Sequence, residues 1–86
     1  MPTDQLRHIA AMLDSGGHIM LGTIKPVAGA AVAYDGHKTL AMLQRRPSEA
    51  VADLLLRLDA AIATAKSNGK RVDEINKPSS DVRHEL

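Results

Sequence analysis

The sequence predicts an α+β fold: a short N-terminal helix, a three-stranded antiparallel sheet with a hairpin at Asp35-Gly36, a long helix over about 48–67, and a fourth short strand or a turn near 71–76. Two observations carry that reading. Short β-type runs flank a strong hairpin signal between His18 and Leu43, and the following stretch from Ser48 to Ala65 switches to the period of a helix. Residues 1–76 read as a single domain and 77–86 as a disordered polar tail.

Thr3 is placed to cap the first helix with Asp4 in its first turn, and Leu6, Ile9, Ala10 and Leu13 form one apolar stripe. Ser15-Gly16-Gly17 ends it. A helix this short needs a docking surface, either the rest of the chain or a second copy. His18 to Lys25 carries apolar or β-branched residues on both alternate sets, as in a strand covered on both faces. Lys25 to Gly29 reads as a loop, and the second strand runs from Ala30 to Tyr34.

Asp35-Gly36 predicts a two-residue type I′ turn, which needs positive φ at both central positions. That turn sets Tyr34 opposite His37, Val32 opposite Thr39 and Ala31 opposite Leu40, with Leu40 and Met42 on one face and Ala41 and Leu43 on the other. Neither face is polar, so one covering helix leaves apolar surface to be covered by something else. Pro47 and Ser48 mark the start of the long helix, whose stripe is Val51, Leu54, Leu55, Leu58, Ile62 and Ala65. Asp53 and Arg57 are an i, i+4 pair on its polar side. Lys66, Asn68 and Gly69 end it.

Composition narrows the function classes. A chain of 86 residues buries a small core, and with no cysteine it has neither disulfides nor thiolate metal sites to reinforce it. Oligomerisation is the remaining common support. Only 1% of residues are aromatic and 44% are hydrophobic, so the core must rely on Leu, Ile, Val, Met and Ala. The net charge of +1 gives no overall field for nucleic acid or acidic lipid. With no membrane-length apolar run and no leader pattern, a cytoplasmic location is expected.

No residue pattern specifies catalysis, a cofactor or a metal. The four histidines, His8, His18, His37 and His84, fall in four separate segments without metal-ligand spacing. The Gly pair at 16–17 follows a helix, whereas a phosphate-binding loop precedes one. The apolar residues Leu6, Ile9, Leu13, Leu40 and Met42 are therefore candidates for an interface with a second copy or a protein partner. Arg45, Arg46, Lys70 and Arg71 are candidates for the alternative, a basic edge that contacts nucleic acid. The lone aromatic residue, Tyr34, argues against single-strand binding by stacking.

The run from Asp35 to Leu43, Arg45-Arg46-Pro47, the helix from Asp53 to Ile62 and Val72 to Asn76 together resemble small bacterial proteins carried on plasmids or integrated elements, which bring no activity with them. Between Ile19 and Asn76 the order strand-strand-strand-helix-strand resembles the partial RNase-H-like domain of HicB-type antitoxins, which bind and block a toxin RNase. The aromatic-rich first strands and the proline-glycine loop of that family are absent, and no functional residue carries over. The expectation is a non-enzymatic interaction or self-association module, an accessory protein of a mobile genetic element, with a nucleic-acid-binding regulator or antitoxin-like protein as the alternative.

Overall fold

The computed structural model describes residues 3–24 and 27–75. The tail expected over 77–86 lies outside them, as does His84. A 3-10 turn at Thr3–Leu6 leads into α1 (Arg7–Asp14), followed by β1 (His18–Ile24), β2 (Val27–Tyr34), β3 (Thr39–Gln44), α2 (Val51–Asn68) and β4 (Val72–Asp73). The sheet order is β1-β2-β3-β4; the first three strands are antiparallel, and β4 lies parallel to β3. This is the α+β arrangement that the sequence predicts.

The first helix starts later than expected and is capped from elsewhere. Leu6 stands at its N-cap position and offers no side-chain bond. The amides of His8 and Ile9 instead donate to Oδ1 of Asp59, at 2.9 and 2.8 Å, and His8 Nδ1 lies 3.0 Å from Oδ2. These amides are the second and third of the helix, the two that an N-cap side chain ordinarily satisfies. A carboxylate on α2 thus ties the start of α1 to the middle of α2, and Asp59 is the buried charged residue among the core side chains. At the other end Gly16 takes φ +94° and the Gly17 amide donates to Met12 O at 2.9 Å. A Cβ on Gly17 would fall 2.6 Å from Tyr34 O and 2.7 Å from Met12 Cγ, so glycine is required where the helix turns into β1.

The β1–β2 connection is shorter than the sequence suggests. β2 begins at Val27, and Ile24 pairs with Val27, so only residues 25 and 26 stand between the strands. Gly29, read as part of a loop, belongs to β2. Its carbonyl accepts from the Arg45 amide at 3.0 Å, and a Cβ there would come within 3.1 Å of Arg45 Cβ.

The β2–β3 hairpin is not a two-residue type I′ turn. Gly36 has φ +99°, but Asp35 does not take the positive φ that such a turn demands. Asp35 Oδ1 instead accepts the amides of His37 and Lys38, each at 2.8 Å, and the Asp35 amide donates to Lys38 O at 3.1 Å. These local bonds favour a four-residue loop, 35–38, and hold the Asp35 carboxyl below its usual range. The register shifts accordingly: Tyr34 faces Thr39, Ala33 faces Ala41, Val32 faces Met42 and Ala31 faces Leu43. Between Ala33 and Tyr34 a bulge leaves Leu40 as the extra residue of β3. Bulges re-aim a side chain, and here Leu40 and Ala41 are both buried in the core, not on opposite faces.

The long helix also begins later than Ser48. Arg46-Pro47-Ser48-Glu49 closes a type II turn, with Glu49 N donating to Arg46 O at 3.0 Å and Ser48 at φ +65°. Ala50 precedes the first helical residue, Val51, and Gly69 caps the far end in the left-handed conformation, its amide on Ala65 O at 2.8 Å. Arg57 does not pair with Asp53. Its Nε and Nη2 bind both oxygens of Glu49 at 2.7 and 2.9 Å, Nη1 reaches Glu74 at 3.1 Å, and Nη2 also donates to Gln44 O at 2.9 Å. The guanidinium therefore joins the end of β3, the turn before α2, α2 itself and the chain after β4. Hydrogen bonds from Arg57 and then from the Arg46 amide lower the Glu49 pKa from 4.5 to about 2, and Glu49 in turn raises that of Arg57.

Small side chains set the packing. Ala31, Ala33 and Ala41 are fully buried and let α2 lie close to the sheet, where Leu54, Leu58, Ile62 and Ala65 meet Leu40 and Leu43. Ile9 and Met12 bring α1 into the same cluster. Both helices consequently cover one face of the sheet.

Candidate interaction surface

Strand alternation divides the sheet cleanly once the register is known. On the helix side, Ile19, Ala33 and Ala41 form one cross-strand row, and Leu21, Ala31 and Leu43 another. The opposite side carries the rows His18, Tyr34 and Thr39; Met20, Val32 and Met42; and Gly22, Ala30 and Gln44. Among the described residues no helix covers the first two of these rows, whereas Ala30 is buried. The middle row is wholly apolar and continues to Asp73 of β4, the neighbour of Met42.

The exposed part of this surface concentrates at β1. Met20 is 56% exposed and Leu21 47%, although they are consecutive and so point to opposite sides of the strand. Beside Met20, the rings of His18 and Tyr34 stack across β1 and β2 with centroids 6.1 Å apart and planes inclined by 18°. His18, Ile19, Met20, Val32 and Tyr34 line an open hollow of about 490 Å³. β1 also ends the sheet, and no strand pairs with its outer edge among the described residues. An edge of this kind offers main-chain donors and acceptors to another chain.

The candidate interface residues separate into two groups. Ile9 and Leu40 are buried in the core, and Leu6 packs against it. Their apolar character is used inside the chain. Leu13 remains 46% exposed at the end of α1, and Met42 is half-buried in the middle row of the open side. Met20, Leu21 and Tyr34 were not among the candidates. Their sequence signal is a strand apolar on both alternate sets, a pattern shared with strands covered on both faces.

The four candidate basic residues do not form one edge. Arg45 and Arg46 follow the end of β3, where Arg45 Nε donates to Glu49 O at 2.9 Å. Lys70 and Arg71 precede β4, which is parallel to β3 and so lies near the opposite end of that strand. There they meet Lys38 around a hollow of about 260 Å³, with Arg71 Nε 3.7 Å from Asp73.

The remaining polar clusters are consumed by the architecture. Asp59 accepts two amides and faces the His8 ring, while Glu49 and Glu74 are held by Arg57. The sequence signal for Asp59 is a carboxylate between Leu58 and Ile62 of an apolar stripe. His18 faces Tyr34 across β1 and β2, and His37 lies in the 35–38 loop. Among the described residues no three His, Cys, Asp or Glu side chains converge as a metal site, and no helix is long and apolar enough to cross a membrane. No family model, curated protein or solved structure matches the chain.

Proposed function

We propose that this chain is a non-enzymatic interaction module that works as a homodimer through the β1 side of its sheet. The observation that carries this reading is the one-sided placement of the helices: among the described residues no helix lies over the row Met20, Val32 and Met42, and no strand follows β1 at the end of the sheet. In a small protein, exposed apolar surface joined to a free edge favours association over solvation. The commitment of Asp59, Glu49 and Glu74 to structural bonds supports the non-enzymatic part, because each of these carboxylates already accepts hydrogen bonds from groups that hold the fold together. The resemblance to small proteins of plasmids and integrated elements motivates the further reading that it is a cytoplasmic accessory protein of such an element.

Sedimentation over a concentration series tests the proposal. The expected result is a species of twice the 9.2 kDa chain mass that dissociates on dilution. A monomer throughout the micromolar range overturns it.

A second reading, a nucleic-acid-binding regulator or antitoxin-like protein, draws on the meeting of Lys38 with Lys70 and Arg71. It expects a salt-dependent mobility shift that is lost in Lys70→Glu/Arg71→Glu. No shift at low salt removes it.

A further inference from the structure

We infer that β1 pairs antiparallel with β1 of a second copy, two-fold about Met20, so that two four-stranded sheets become one. The inference rests on the homodimer reading and says how the two chains meet.

Three observations converge on strand pairing and away from packing of one open face on another. First, Met20 and Leu21 are the most exposed large apolar residues of the sheet among those whose exposure is described, and they point to opposite sides. A face-to-face dimer covers Met20 and leaves Leu21 in water, whereas an added strand places neighbours beside both. Second, β1 carries no Asp, Glu, Lys or Arg from His18 to Ile24 and no proline, so the charge and proline guards against edge pairing are absent, and the irregularity at its far end lies beyond the His18–Gly22 run. A neutral strand also meets its own copy without like charges opposed. The far edge of the sheet contrasts with it, since β4 is two residues long, ends in Asp73 and leads into the Glu74 contact with Arg57.

Third, the continuously paired part of β1, which ends at Gly22 with φ +137°, is self-complementary. His18 through Gly22 pair without interruption with β2, and the register shifts only between Gly22 and Ile24. An antiparallel copy centred on Met20 sets Ile19 opposite Leu21 of the second chain on the helix side. It sets Met20 opposite Met20 on the open side, and His18 opposite Gly22, which has no side chain to oppose the imidazole. Every large residue of the segment then faces an apolar or vacant position.

The absence of cysteine in the chain makes disulfide trapping a clean test. Residues directly opposite in an antiparallel pair have Cα atoms about 4.5–5.5 Å apart, within the roughly 4.4–6.8 Å that a disulfide spans. Ile19→Cys and Leu21→Cys are mixed in equal amounts, one of them isotope-labelled, and oxidised mildly. Retained folding is checked by circular dichroism. The mixed disulfide is expected to exceed the two symmetric ones several-fold, because like residues across the two-fold sit diagonally at about 7–8 Å. As a second variant, Leu21→Lys is expected to sediment as a folded monomer. If the wild-type protein dimerises but the mixed disulfide does not form, strand pairing is overturned and the homodimer reading stands. If the wild-type protein is monomeric at every concentration and neither variant cross-links, both are overturned.

Discussion

Asp59 acts as the N-cap of a helix to which it does not belong. Two amides and one imidazole nitrogen converge on it, and its side chain is buried between α1 and α2. Removing the carboxylate leaves two helix-end donors without a partner, at a cost of about 1–3 kcal/mol. Asp59→Ala is therefore expected to lower the unfolding free energy by that amount, read as a lower urea midpoint, with α1 amides exchanging faster than those of α2. An unchanged midpoint contradicts the assignment. Ser48 offers the opposite test. Its φ of +65° is strained for a side chain with a Cβ but ordinary for glycine, so Ser48→Gly is expected to stabilise by on the order of 0.5 kcal/mol. At Gly17 a methyl group has nowhere to go, and Gly17→Ala is expected to destabilise by about 1–3 kcal/mol in the same assay.

At the scale of elements, the Arg57 clamp makes the α2–β3–β4 junction sensitive to acid. The folded-state pKa of Glu49 is depressed from 4.5 to about 2 by Arg57, so its contribution is fully present above pH 4.5 and is lost as pH falls toward 2. Glu49→Gln is expected to remove that part of the acid limb of the stability profile while leaving the profile flat above it; an acid limb of unchanged slope contradicts the clamp. Element identity was legible in the sequence because the helical period of Leu54, Leu58, Ile62 and Ala65, and the stop at Gly69, are local signals. Boundaries and register were not, because side chains decided them. Asp35 uses its carboxylate to bind the amides of 37 and 38, which turns a two-residue hairpin into a four-residue loop and moves every pair downstream. Pro47 and Ser48 carry the composition of a helix start, yet Glu49 is drawn out to Arg57 and the turn closes before the helix begins.

For the whole molecule, the helices share one face because Ile9 and Met12 of α1 dock on α2 beside the alanines of β2 and β3. The sequence announced two partly apolar sheet faces and an unmet need for cover; the direction in which α1 folds back was not legible, since it depends on the Asp59 tie and the close passage at Gly17. The uncovered rows and the β1 edge follow from that docking. Concentration-dependent hydrogen exchange tests their role most directly. If a second copy adds to the edge, the alternate amides of His18 to Gly22 that point away from β2 become more protected as protein concentration rises, while those that face β2 and those in the middle of α2 do not change. Exchange in β1 that is independent of concentration contradicts the account.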